Sequence, residues 1–218
     1  MSLTGPSLTC LTDPKALVVA DASTVINLNA TGCAREVIHA LPNRIVVVDV
    51  VPVELAGGRQ RQRQDSDLLN ELVVSNVVEI VRLDDIAAPY FEQLVVGPAA
   101  MTLDDGEAAT IAYAVSQNAI ALIDERKANR ICGQRFPSLR IGCTVDVFTH
   151  PEVQHALGKD MLASAVFNAL HQGRMRVFPR HVEWVVELIG VDRAGLCTSL
   201  PGSVRLSKPA SAGHADIE

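Results

Sequence analysis

Leu17-Val18-Val19-Ala20-Asp21-Ala22-Ser23-Thr24 runs four apolar residues into an acid followed by two hydroxyls, and the same junction returns at Ala119-Ile120-Ala121-Leu122-Ile123-Asp124. The segments 16–20, 45–50, 77–81 and 119–123 read as strands, with Arg140-Ile141-Gly142 a weaker fifth. Their apolar character is continuous rather than alternating. Such strands are buried on both faces, as in a parallel sheet covered by helices. Helical patterns at 22–30, 34–40, 52–57, 65–75, 85–95, 105–117, 125–134, 160–172 and 181–190 supply the covering layers, so the expected class is α/β.

The rest of the composition agrees with one domain. Of 218 residues, 48% are apolar and 4% aromatic, so Val, Leu, Ile and Ala must fill a sizeable core. Gly and Pro among small polar residues mark 1–15 as an N-terminal tail and 193–218 as a C-terminal tail, leaving 16–192 as the domain. A net charge of -6 argues against coating nucleic acid by bulk electrostatics, yet a local basic strip beside an acidic site still permits a nucleic-acid substrate. Five widely spaced cysteines without a C-x-x-C pair read as reduced thiols and against a zinc site. No apolar run is long enough to span a bilayer, and the expected location is cytoplasmic, with no membrane partner.

In open parallel sheets, ligands sit beyond the carboxyl ends of the strands. Asp21 and Asp124 each occupy such an end; each would equally serve as the cap of the next helix. Ser23 and Thr24 stand ready to orient the Asp21 carboxylate. Glu54, in Val51-Pro52-Val53-Glu54-Leu55, falls in a first helical turn, where the helix dipole also favours an acid. Glu107 follows Asp104-Asp105-Gly106 in a capping arrangement, while its spacing to Ile111 and Ala114 turns it toward the core. Gathered carboxylates raise one another's pKa, and a divalent cation is the usual offset; all-oxygen ligation selects Mg2+ or Mn2+.

The motifs Ala20-Asp21-Ala22-Ser23-Thr24, Val51-Pro52-Val53-Glu54-Leu55, Leu103-Asp104-Asp105-Gly106-Glu107-Ala108 and Leu122-Ile123-Asp124-Glu125 follow one another in an order that resembles the PIN-domain family, over about residues 16 to 150. The third and fourth are most similar to a branch of VapC-like toxins. The resemblance implies a PIN-like three-layer α/β/α fold with a central, mainly parallel sheet of about five strands. It carries Asp21, Glu54, Glu107 and Asp124 over as metal-binding and catalytic acids, with Asp104 or Asp105 as alternatives at the third motif. In Gly142-Cys143-Thr144-Val145-Asp146 the Gly and Thr match the family; Asp146 departs from it, as an additional acid or a helix cap. Ser23, Thr144 and Asp146 are the expected supporting residues. The implied activity is metal-dependent hydrolysis of phosphodiesters by a nuclease using Mg2+ or Mn2+, with RNA as the expected substrate and DNA as the alternative. A toxin would also have a small antitoxin protein as partner and form a homodimer.

Arg59, Arg61 and Arg63 follow a double glycine at alternate positions and, with Arg130 after the fourth motif, are the candidate substrate-binding cations; solvated surface is the plainer reading of each. His150 and His155 have no metal-ligand spacing and are expected at the surface or in loops. Leu162, Ala165, Val166, Ala169 and Leu170 form a stripe expected in the core or a dimer interface. A dehalogenase-type phosphatase would need an acid where Ser23 stands, and a metal-adhesion module a hydroxyl where Val25 stands. The remaining rival is a non-catalytic PIN-like module that binds nucleic acid or a protein partner.

Overall fold

The computed structural model describes residues 9–57 and 60–205, with the backbone alone for residues 60–63. In chain order the elements are β1 (Val18–Ala20), α1 (Ala22–Ala30), α2 (Ala34–Ala40), β2 (Ile45–Val48), α3 (Val50–Gly57), α4 (Gln60–Val74), β3 (Glu79–Val81), α5 (Ala88–Val95) and α6 (Asp105–Ser116). Next come β4 (Ile120–Leu122), α7 (Arg126–Arg135), β5 (Arg140–Gly142), α8 (Thr144–Phe148), α9 (Pro151–His171), α10 (Val182–Ile189), α11 (Val191–Gly195) and α12 (Gly202–Arg205). The five strands form one sheet in the order β3-β2-β1-β4-β5, and every pairing is parallel.

The continuous apolar runs follow from two-sided burial. Val18, Ala20, Ile45, Val47, Ile120 and Leu122 turn to one face, against Leu28 of α1 and Val166 of α9. Val19, Val46, Val48, Ala121 and Ile123 turn to the other, against Ile111 of α6 and Ile131 of α7. Alternate side chains of a strand point to opposite faces, so with helices on both sides neither set is free to be polar. The stripe from Leu162 to Leu170 lies in the first of these cores.

The chain builds outward from β1 through β2 to β3, then returns to the far side of β1 to lay down β4 and β5. The winding therefore reverses between β1 and β4, which opens a crevice at their carboxyl ends. Their register pairs Ala20 with Leu122, so the acids after these two strands emerge side by side.

Several expectations need correction. Helix α9 begins at Pro151, not near 160: Pro151 takes the first helical position and the His150 ring accepts the Glu152 backbone N–H at 3.3 Å. Gly158, at φ 65, breaks the helix partway, which hid its first half from a periodicity reading. His150, expected at the surface or in a loop, lies in the loop before α9 but is buried there, whereas His155 is exposed. Of the spans 1–15 and 193–218, read as tails, the described parts include buried residues. Thr9 and Leu11 are buried at one end, and Ala194, Cys197 and Leu200 at the other. Single anchors spaced without helix or strand period leave no pattern to read. The extended segment at Met175-Arg176-Val177-Phe178 pairs with no strand.

Candidate metal centre

Asp21 ends β1 and caps α1. Its Oδ1 accepts the Thr24 backbone N–H at 2.8 Å, and the Ser23 hydroxyl donates at 3.0 Å to either carboxylate oxygen. The cap and the candidate ligand are thus one residue, held buried with its carboxylate fixed by the turn it starts. Asp124, two residues past β4, is equally buried and more heavily bonded. Its Oδ1 accepts the Thr144 N–H at 2.8 Å; its Oδ2 accepts the Thr144 hydroxyl at 2.5 Å and Asn27 Nδ2 at 2.6 Å. The middle of the helix after β1 and the start of the helix after β5 therefore converge on the acid that follows the strand between them.

The other two acids come from the helical layers. Asp104 caps α6 by accepting the Glu107 N–H at 2.9 Å, which leaves the Glu107 side chain free to line the crevice. Glu54 on α3, which packs on α6, reaches over the first turn of that helix. Its Oε2 lies so near Gly106 that a Cβ there would collide with it. Gly106 thus holds a place open for the Glu54 carboxylate. Asp105 is exposed. The crevice has a volume of about 180 Å³; Ser23, Asn27, Glu107, Asp124 and Glu125 form part of its wall.

Electrostatics couple Asp21 to Asp124 and Glu107 to Asp21, whereas Glu54, which is exposed, feels the charge of Asp104. Burial, then the neighbouring Asp124 charge, pushes Asp21 up to about 7, against the pull of the Thr24 and Ser23 hydrogen bonds. Glu107 is pushed up to about 8 by burial and by the charges of Asp104, Asp21 and Glu125, with Lys127 offsetting only part. Burial raises Asp124 in spite of its Thr144 and Asn27 donors, and burial with the Asp104 charge raises Glu54. None of the four forms an ion pair among the described residues. A protein that buries negative charge without a side-chain cation leaves either protons or a bound cation to balance it. The donors are all oxygen and suit a hard divalent ion.

Asp146 stands apart from this set. Its Oδ2 accepts the Cys143 N–H at 2.8 Å, closing the first turn of α8, and its Oδ1 accepts the Cys10 N–H at 3.2 Å. Arg180 Nη2 pairs with Oδ2 at 2.9 Å and His181 Nε2 lies 3.5 Å from Oδ1. Burial alone would raise this carboxyl; the bonds from His181 and Cys143 and the Arg180 charge outweigh it and hold it below the usual range. Asp146 thus closes the first turn of α8 and ties Cys10, Arg180 and His181 to it, while its charge adds to the rise at Asp124. Cys143, Asp146 and His181 present donor atoms within 4.8 Å of one another, a ligand-like group that sequence spacing concealed. Arg180 already supplies the cation there.

The expected substrate-binding residues fare differently. Arg59 lies outside the described residues, as do the side chains of Arg61 and Arg63. Arg130 donates to the Ala100 carbonyl at 3.0 Å and is absent from the crevice wall, where Arg174 and Arg176 stand instead. No local motif singles those two out. Asn27 was legible in principle, as a polar residue on the buried side of α1 between Val25 and Leu28.

An all-parallel sheet with helices on both faces and a carboxylate crevice at its winding reversal defines an α/β/α protein suited to binding a cation beside an anionic substrate. A family model described as a PIN domain matches residues 17–190, most of the chain. The chain belongs to the PIN-domain family, whose members are generally nucleases that typically use divalent metals. No curated protein and no solved structure matches it. Among the described residues, no helix is long and apolar enough to cross a membrane.

Proposed function

We propose that the protein is an endoribonuclease that holds Mg2+ or Mn2+ through Asp21, Glu54, Glu107 and Asp124. The observation that carries this reading is the run of raised pKa values through Asp21, Glu107 and Asp124, acids that no side-chain cation neutralises among the described residues. A divalent ion bound there supplies charge neutralisation at the scissile phosphate and a more acidic bound water. The chain's own residues supply position. Thr144 and Asn27 fix the Asp124 carboxylate from two sides, and Ser23 and the Thr24 N–H fix that of Asp21. Gly106 keeps the approach of Glu54 clear. Burial and the charges of Asp104, Asp21 and Glu125 favour the protonated form of Glu107, and a cation held there would favour the ionised one.

The test is cleavage of matched RNA and DNA panels in Mg2+, Mn2+ or EDTA, by the wild type and by Asp124→Asn. The proposal expects metal-dependent cutting of RNA that the variant loses. Equal cutting by the variant, or cutting that persists in EDTA, removes the metal centre; oligonucleotide binding without cutting transfers the fold to a binding module. The narrower toxin reading rests on the spelling of the third and fourth motifs and includes an antitoxin over the crevice and a homodimer. Light scattering of the purified chain, and its co-purification with the product of an adjacent reading frame, test those two associations.

A further inference from the structure

Beyond α9 the chain turns back across the crevice as an extended strap, residues 173–177, and the strap alternates. Met175 is fully buried and Val177 nearly so, while Arg174 and Arg176 are exposed. The Met175 N–H is tied to the Ala169 carbonyl at 3.0 Å. At its start, Gly173 is pressed between α9 and α1, so that a Cβ would meet the Ala169 carbonyl of α9 at 2.6 Å and Asn27 Oδ1 of α1 at 2.7 Å. Asn27 is also the residue that donates to Asp124. The strap is therefore registered, through one amide side chain, against the acid at the centre of the crevice.

Both arginines, with Gly173, line the same crevice as Glu107, Asp124 and Glu125. Arg176 pairs with Glu125 at 2.6 Å; a guanidinium in one ion pair still has further N–H donors to offer. Arg174 has no hydrogen bond or ion pair among the described residues, and its backbone sits at φ 58. That left-handed conformation costs a residue with a Cβ about 1 kcal/mol and is one that Gly or Asn takes more readily. An unpaired arginine in a left-handed position that lines a crevice with Glu107, Asp124 and Glu125 gains nothing for the fold from its charge.

We infer that Arg174 and Arg176 form a phosphate clamp: their guanidiniums hold the backbone phosphodiesters of a single-stranded nucleic acid and present it to the carboxylates on the opposite wall. The inference rests on the nuclease reading for the role of those carboxylates, but the clamp is a separate set of groups with a separate signature. A guanidinium fork grips phosphate oxygens in two parallel bonds, and a cation on the rim offsets the repulsion an acidic crevice exerts on a polyanion. It also explains how a chain of net charge -6 handles such a substrate without a basic surface.

The experiment uses the full chain, wild type against Arg174→Asn/Arg176→Gln, with labelled single-stranded RNA and DNA of one sequence, in Ca2+ over a salt series. Mn2+ affinity is measured separately by calorimetry. Asn suits the left-handed position, so the double variant is expected to fold at least as well at residue 174. It should bind Mn2+ like the wild type, bind oligonucleotide at least about tenfold more weakly, and lose about 0.7 of log–log salt slope per lost phosphate contact. Wild-type affinity and slope in the variant, or no oligonucleotide binding by the wild type, overturn the clamp. A wild type that binds oligonucleotide through these arginines but neither binds Mn2+ nor cuts would keep the clamp and defeat the nuclease reading. Equal RNA and DNA affinity makes the phosphodiester the recognised group; a preference for RNA adds a contact to the 2′-hydroxyl.

Discussion

Replacing Asp21 by Asn should make the metal-free protein more stable, and by an amount that depends on pH. Asn caps a helix as well as Asp does, and it keeps an oxygen for the Thr24 N–H. What it removes is a buried charge whose pKa stands at about 7 against an ordinary 3.8. Above that upper value the folded state carries the ionised group at a cost of about three pH units, on the order of 4 kcal/mol at 1.36 kcal/mol per unit. The sign follows from proton counting. Between the two values the folded state binds more protons than the unfolded, so wild-type stability falls as pH rises from 3.8 to about 7. Below that window the penalty is absent, and above it the penalty is complete. Urea unfolding in EDTA should therefore show the variant ahead of the wild type by about 3 kcal/mol more at pH 8 than at pH 5. Mn2+ at a hundred times its Kd should close more than half of that gap at pH 8, since it adds about 2.7 kcal/mol to the protein that binds it. A variant less stable than the wild type at pH 8, or ahead by the same margin at both pH values, would refute the claim that Asp21 is a buried charge awaiting a cation.

Gly106→Ala should move the Glu54 carboxylate and leave the fold intact, because the atom in the way is the far end of a flexible side chain. Stability should change by less than about 1 kcal/mol while Mn2+ affinity, read by calorimetry, falls about tenfold or more; unchanged affinity would take Glu54 out of the centre. Asp146→Ala should do the opposite. Loss of the acceptor for the Cys10 and Cys143 N–H groups and of the Arg180 ion pair should cost about 3 kcal/mol in urea unfolding, with Mn2+ affinity retained by the folded protein. This carboxyl is depressed, so its stabilisation is present above 3.8 and lost as pH falls through its folded value; the variant's deficit should close in acid. A folded variant that no longer binds Mn2+ would return Asp146 to the metal centre.

The strands and the acids that end them were legible because both are local. A four-residue run with no polar face states two-sided burial by itself, and an acid after such a run states its height in the sheet. Glu107 shows the limit of that reading. Its spacing allowed a capping role and an inward-facing side chain as alternatives, and folding uses the backbone N–H for the cap while the side chain lines the crevice. Asp146 shows it more sharply. Two residues past Thr144, it read as an additional acid or a helix cap; it closes the first turn of α8 and there also meets Cys10, Arg180 and His181, which lie more than thirty residues away in the chain.

The sequence by itself therefore determined an α/β chain with acids at two strand ends and near two helix starts, since apolar period and helix-start chemistry act over a few residues; α3 begins at Val50 and so puts Glu54 in its second turn, not the first. The tertiary structure alone decided that β1 lies beside β4, that Asn27 and Thr144 hold Asp124, and that Arg174 and Arg176 face it. Those adjacencies come from the order in which strands pack and from a strap anchored by buried residues. Their stabilising contacts join segments separated by up to about a hundred positions, and no local pattern records which distant surface will bury a given side chain.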